Sequence, residues 1–349
     1  MRTAFAAAFA SLFVLRAFAE PALTTTLSQP DANNPFVKTT VTNTGSETLK
    51  ILKDPQSVLS ETETETFTVT GANGSPNFRG IRVKYSPDFV RQENDPESFI
   101  VLAPGQSHEV THDLSRAFDF GPTGTGEYRI EALNTFNYVD ATGQLARIIA
   151  TTDSAAFKMT GNTLPTRDFR PRGSAPSVRQ TGTRFNGCSP QQQRDINAAI
   201  PLAEGYITQA RTYLDRTPDG LRYKTWFGQP DSGRLDKAKM HFQKIQGKSR
   251  STTYDCSTCT QTNVFAYVYP NQPGKVYLCP QFWRAPTRGS DSKAGTLVHE
   301  QSHFDANGGT QDYAYSKSDC RSLARRTPET AVMNADNHEY FAENDPNVS

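Results

Sequence analysis

The stretch TLVHEQSHFD (residues 296–305) sets His299 and His303 four residues apart, with Glu300 beside the first. A second stretch, SHEVTHDL (residues 107–114), repeats the letters with His108 and His112. The local structure that each stretch adopts separates them. The ligands of one zinc ion converge on it at about 2.0–2.2 Å. On a helix, residues i and i+4 share a face with their Cβ atoms about 5–6 Å apart. On a strand they also share a face, but stand about 13 Å apart at roughly 3.3 Å per residue. Only the helical pair can meet on one ion.

Around the first stretch, Ser290 can cap a helix, Ala294, Leu297 and Val298 fall at helical spacing, and Gly308-Gly309 can end it. A helix is therefore expected over 290–306. Around the second, a Pro104-Gly105 turn is followed by Val110 and Leu114 alternating in step with both histidines, which predicts a strand. The third ligand must follow the helix. Position 309 is Gly309, so a third histidine is missing there, and Glu329 lies too far on. Asp312 is the nearest carboxylate after the glycines, which let the chain fold back, whereas Asp305 points away on the same helix.

The flanking sequence divides in two. Residues 20–160 read as strands: GIRVKYS alternates Ile81, Val83 and Tyr85 with Arg82 and Lys84, and TFTVTG and GEYRIEAL behave likewise between turn residues. This grammar predicts an all-β sandwich. Residues 161–183 are aperiodic and rich in Pro, Gly, Ser and Arg, as in an exposed linker. From Arg184 to the C-terminus an α+β, mostly helical domain is expected. A helix opens at Ser189-Pro190 and is interrupted or kinked at Pro201, a second covers 233–246, a hairpin turns at Asn271–Gly274, and a last helix covers 328–343.

The first 19 residues, basic then apolar and ending Ala17-Phe18-Ala19, read as a secretory signal peptide. Export favours cysteine pairing, and the five cysteines leave an odd thiol. Asn73 and Asn347 lie in glycosylation sequons. A net charge of +1 gives no reason to expect nucleic acid or an anionic membrane as partner.

His299-Glu300-x-x-His303 followed by Gly309-Thr310-Gln311-Asp312-Tyr313-Ala314-Tyr315 resembles the aspzincins, the deuterolysin-like metalloproteases. FAYVYPN, FWRAPT, AGTLVHE and AVMNADNHEYFAEN bring the resemblance closer to the fungal peptidyl-Lys metalloendopeptidases, from about Asn186 onward. The chain departs from that pattern at Ser316, where the family usually has Gly, in the longer Cys256-to-Cys259 spacing, and in Cys320, which has no family partner.

The resemblance implies a zincin-like fold with one Zn2+ on His299, His303 and Asp312. Glu300 would be the catalytic base and Tyr315 the oxyanion donor, while Asp336 and Glu339 would form a substrate-binding subsite for lysine. It also implies disulfides Cys188–Cys256 and Cys259–Cys279. The expected protein is a secreted, monomeric endopeptidase that cuts before lysine. It would be made as a zymogen whose sandwich is a propeptide and whose mature domain starts near Arg184, with self-cleavage at Thr183–Arg184 as one route. His338 is expected to be structural and Cys320 buried and inert. A broad-specificity deuterolysin-type protease, or a non-catalytic binding protein with a vestigial protease domain, are the competing readings.

Overall fold

The computed structural model describes residues 20–31, 34–159 and 182–348. The leader expected over 1–19 and nearly all of the linker lie outside the described residues.

The N-terminal region is β-rich. Its strands are β1 (Leu23–Ser28), β2 (Phe36–Asn43), β3 (Leu49–Leu52), β4 (Phe67–Gly71), β5 (Asn77–Phe78), β6 (Arg82–Lys84), β7 (Phe99–Leu102), β8 (Ser107–Asp113), β9 (Phe118–Asp119), β10 (Gly126–Ala132), β11 (Thr135–Val139), β12 (Leu145–Ile149), β13 (Thr151–Thr152) and β14 (Ala155–Met159), with one helix, α1 (Pro87–Glu93). They pair as β13-β1-β2-β8, β14-β10-β4, β12-β11-β3-β7 and β5-β9. Alternation drives the pairing: along β2 the buried positions are Val37, Thr39, Val41 and Asn43, while the residues between them are half-exposed. Val37, Val41, Ile51, Phe67, Val69, Ile130 and Phe136 belong to the core that the sheets enclose.

The HEVTH stretch is strand β8, antiparallel to β2 with His108 opposite Val41 and His112 opposite Val37. His112 turns inward, its Nε2 3.2 Å from the Val58 carbonyl and its ring edge-on to Phe67. Burial pushes its pKa down to about 4, so the ring is neutral. Neither histidine joins a metal-competent cluster among the described residues.

The C-terminal region comprises β15 (Arg184–Asn186), α2 (Pro190–Arg216), α3 (Leu221–Phe227), α4 (Ser232–Ile245), β16 (Thr253–Asp255), β17 (Ala266–Val268), β18 (Lys275–Leu278), α5 (Pro280–Arg284), α6 (Lys293–His303), α7 (Lys317–Arg326), α8 (Pro328–Ala331) and α9 (Ala335–Glu343). Ser189 and Gln192 cap α2 reciprocally, and the helix continues through Pro201 as one element, against the interruption expected there. The helix predicted over 290–306 is shorter, with Ser292 rather than Ser290 as its cap. The one predicted over 328–343 is broken after Ala331 and restarts behind Asn334. Helices α3, α5 and α7 had no sequence counterpart. Disulfides join Cys188 to Cys256 and Cys259 to Cys279, and Cys320 is free and buried. No helix among the described residues is long and apolar enough to cross a membrane.

The two regions share a sheet. Its order is β15-β16-β18-β17-β6, so the outermost strand beside β17 comes from the N-terminal region. The alternation in GIRVKYS predicted one buried face, yet Arg82 and Lys84 are buried along with Ile81, Val83 and Tyr85. Both faces are covered: Arg82 meets Glu65 and the Phe78 ring of its own region, and Lys84 meets Asp336 and Glu339 of the C-terminal one. Ile81, Val83, Tyr85, Val90 and Phe99 pack with Val264, Tyr267, Tyr277 and Tyr315 in an apolar seam.

Candidate metal centre and its carboxylate pocket

Helix α6 carries the HEQSH stretch and is buried along its whole length. It lies against α9 at Gly295, where a Cβ would meet the Glu343 carboxylate at 2.0 Å and Glu339 at 3.0 Å. The close approach brings the carboxylates of α9 beside the histidines of α6. After α6, Gly309 takes φ 61°, a left-handed conformation that suits glycine, and the chain returns. Asn334 then fixes the returning segment: its Oδ1 accepts from the amides of Tyr313 (2.7 Å) and Ala314 (3.1 Å), and its Nδ2 donates to the Ala314 carbonyl (2.9 Å).

The result is a triangle of donor atoms. His299 Nε2 is 3.0 Å from His303 Nε2 and 3.4 Å from Asp312 Oδ1, and His303 Nε2 is 3.3 Å from Asp312 Oδ1. Ligands at about 2.0–2.2 Å around a tetrahedral ion stand about 3.3–3.6 Å apart, so the spacing fits zinc. The donors are also turned correctly. His303 Nδ1 lies 2.9 Å from the Thr310 carbonyl, which can only accept, so the ring proton sits on Nδ1 and Nε2 is left free to act as a ligand. His299 Nδ1 lies 3.0 Å from Asp336 Oδ1 and 3.2 Å from Glu339 Oε2. Asp312 Oδ1 is buried without a hydrogen-bond partner. Two imidazole nitrogens and a carboxylate oxygen thus converge on one point, a donor set that suits a divalent cation.

Glu300 lies beside the triangle. Burial pushes its carboxyl well above the ordinary range, and Asp312 adds to the shift. Its Oε1 accepts from the Lys84 amide at 3.1 Å, and its Oε2 has no hydrogen-bond partner.

A second group of donors, His299, Asp336 and Glu339, also converges, and the Lys84 ammonium fills it. Lys84 Nζ lies 2.8 Å from Glu339, 3.1 Å from Asp336 and 2.8 Å from Asp291, with all four side chains largely or wholly buried. Burial works against its charge, but the three carboxylates overcome that and hold its pKa well above the ordinary value. Burial likewise opposes charge on Asp291, and Lys84 outweighs it, so that this carboxyl sits below its ordinary value. Sequence reading missed Asp291. Its signal was an acidic residue just ahead of α6, legible only once the loop is seen: Asp291 has φ 48°, and its amide and that of Ser292 donate to Glu343 at 3.2 and 2.9 Å.

Tyr315 is buried and donates from its hydroxyl to the Val83 carbonyl at 3.1 Å. Ser316, next in the chain, has φ 71°, which explains why glycine suits this position, and its hydroxyl caps α7 through the Asp319 amide. His338 points elsewhere: its Nε2 lies 3.0 Å from His241 Nδ1 and its Nδ1 3.0 Å from the Asn334 carbonyl. Burial pushes the Cys320 thiol well up, which makes it a poor nucleophile.

Comparison with known proteins places this geometry in context. A family model described as lysine-specific metallo-endopeptidase, the aspzincin M35 group, matches residues 213–343. The peptidyl-Lys metalloendopeptidase of Grifola frondosa is 45% identical over 94% of each chain. That of Armillaria mellea is 43% identical over 94% of this chain and 93% of its own. An extracellular protease of Aeromonas hydrophila is 35% identical over 92% of this chain and 91% of its own. A solved zinc peptidase from Grifola frondosa is 49% identical over 46% of this chain and 100% of that one, with TM-score 0.45.

Proposed function

The chain belongs to the aspzincin family of lysine-specific metalloendopeptidases and is a zinc metalloendopeptidase, and from that premise we propose that it hydrolyses peptide bonds on the N-terminal side of lysine. His299, His303 and Asp312 hold the zinc, Glu300 is the base, Tyr315 stabilises the oxyanion, and Asp336 and Glu339 receive the lysine side chain.

The observation that carries this reading is the lodging of Lys84. Its ammonium sits among Asp291, Asp336 and Glu339 while its amide meets Glu300 and the preceding carbonyl meets Tyr315. A lysine so held has the bond before it at the centre. A broad-specificity protease has no use for three buried carboxylates converging on one ammonium, since such a pocket is costly to bury without a cation.

When bound, zinc supplies a Lewis acid that polarises oxygen and makes water a nucleophile near neutral pH. Glu300 takes the proton of the attacking water and returns it to the lysine nitrogen as that nitrogen leaves. The Tyr315 hydroxyl donates to the carbonyl oxygen of the residue before lysine, where negative charge develops. The carboxylate pocket fixes the substrate's register so that this bond, and not a neighbour, lies between Glu300 and Tyr315.

We further read residues 1–19 as a signal peptide, 20–160 as a propeptide and 161–183 as the processing region of a secreted zymogen that acts as a monomer. The extracellular protease of Aeromonas hydrophila, similar over 92% of this chain, supports secretion. The fit of Lys84 in the pocket supports inhibition by the propeptide.

Metal analysis of the protein tests the reading. One zinc per chain is expected, its removal by a chelator abolishes turnover, and Glu300→Gln keeps the zinc but loses at least about a thousandfold in kcat. Undiminished turnover in Glu300→Gln excludes the mechanism.

A further inference from the structure

Every backbone polar atom around the Val83–Lys84 peptide bond is engaged by the C-terminal region. The Val83 amide donates to Asp312 Oδ2 at 2.9 Å, and the Val83 carbonyl accepts from Tyr315 at 3.1 Å. The Lys84 amide donates to Glu300 at 3.1 Å, and the Lys84 carbonyl accepts from the Phe265 amide at 3.0 Å. Strand β6 runs antiparallel to β17, with Val83 opposite Tyr267 and Lys84 opposite Ala266. The side chain that sets specificity fills the carboxylate pocket.

We propose that Val83–Lys84 is a self-processing site, cut within the same molecule once zinc is loaded. The inference rests on the lysine-cleaving reading above. One water is consumed: its oxygen joins the Val83 carbonyl carbon, the C–N bond breaks, and its protons end on the Lys84 nitrogen and in solvent, leaving a Val83 carboxylate and a Lys84 amine. No oxidant or further reactant is needed.

The flanks explain why the cut does not by itself open the site. Upstream, the Ile81 amide donates to the Glu63 carbonyl and the Gly80 amide to the Ala117 carbonyl, at 3.0 and 3.1 Å. Downstream, Ser86 caps α1 through the Phe89 amide and also donates to Asp291. Both new ends remain anchored, so the nicked chain keeps Lys84 in the pocket until the N-terminal region departs. The junction at Thr183–Arg184 stands differently. Arg184 opens β15, at the opposite edge of the five-stranded sheet from β6. In this arrangement a molecule's own centre cannot reach that junction, and the cut expected there falls to another protease molecule.

The test uses the full chain, stripped of metal and then given zinc alone, followed by intact mass and peptide mapping. A fragment beginning at Lys84 is expected, formed with a half-time unchanged over a hundredfold dilution, and absent from Glu300→Gln. In the Glu300→Gln background, the full chain with Lys84→Met, which keeps the apolar stem, binds a fluorescent single-lysine peptide at least tenfold more tightly than the chain with Lys84. Three results overturn the proposal: a processed form that cuts lysine peptides from a precursor that never yields a Lys84 end, a half-time that lengthens in proportion to dilution, or peptide binding that ignores Lys84→Met. If neither precursor nor processed form cuts lysine peptides, the reading beneath it falls, and this proposal with it.

Discussion

The amide of Lys84 donates to the carboxylate of Glu300 across 3.1 Å, although the two residues stand 216 positions apart in the chain. A proton on Glu300 would therefore face the nitrogen that must leave when the bond before lysine is cut.

Tyr315→Phe removes the one side-chain donor that the described residues place on the Val83 carbonyl while keeping the ring that packs edge-on to Tyr85. About a hundredfold loss in kcat, with KM and zinc content nearly unchanged, is expected for an oxyanion donor. Steady-state kinetics on a single-lysine peptide checks it, and a tyrosine that only packs would leave kcat where it was.

Asp291→Asn removes one of three carboxylates around the lysine ammonium, at a left-handed position that asparagine tolerates. A charge-assisted hydrogen bond contributes about 1.5–3 kcal/mol, so kcat/KM for lysine peptides should fall about ten- to a hundredfold, chiefly through KM. Kinetics with matched lysine and norleucine peptides checks this, since the norleucine peptide should be indifferent to the change.

Asn334→Ala frees two amides and a carbonyl in the segment that presents Asp312. Leaving buried groups unpaired costs about 1–3 kcal/mol each. The expected outcome is looser zinc, lost at a chelator concentration at least tenfold lower than for the parent. Competition with a zinc-binding dye reads it.

His112 makes the N-terminal region sensitive to acid. Its pKa is about 4 when folded against 6.5 for an ordinary histidine. The folded state prefers the neutral ring, so its stabilisation is complete above pH 6.5 and is lost as pH falls from 6.5 towards 4. The loss amounts to about 3 kcal/mol. Denaturant unfolding at pH 7 and 4.5 should show a smaller drop for His112→Gln than for the parent.

The candidate metal centre was legible because its spacing is local. Helical spacing brings His299 and His303 onto one face, and two glycines return Asp312. The same rule dismissed HEVTH, and β8 is a strand. The division into a strand-rich and a helix-rich half was legible from periodicity. What escaped was long-range. Asp291 acquires a role only through Glu343, 52 residues on, which holds its loop. Lys84 read as the polar face of a strand, because alternation reports the burial of one face within one sheet. Nothing in the local pattern tells that a second region covers the other face. The break between α8 and α9 was missed because the helical apolar spacing continues across Asn334, whose side chain is used to hold the Asp312 segment.

The central claim is that this centre cuts before lysine because three carboxylates hold the ammonium. Mass spectrometry of an unfolded protein digested by the zinc-loaded enzyme tests it most directly. New N-termini that begin overwhelmingly with lysine are predicted, and a digest whose new N-termini show no enrichment for lysine would contradict the account.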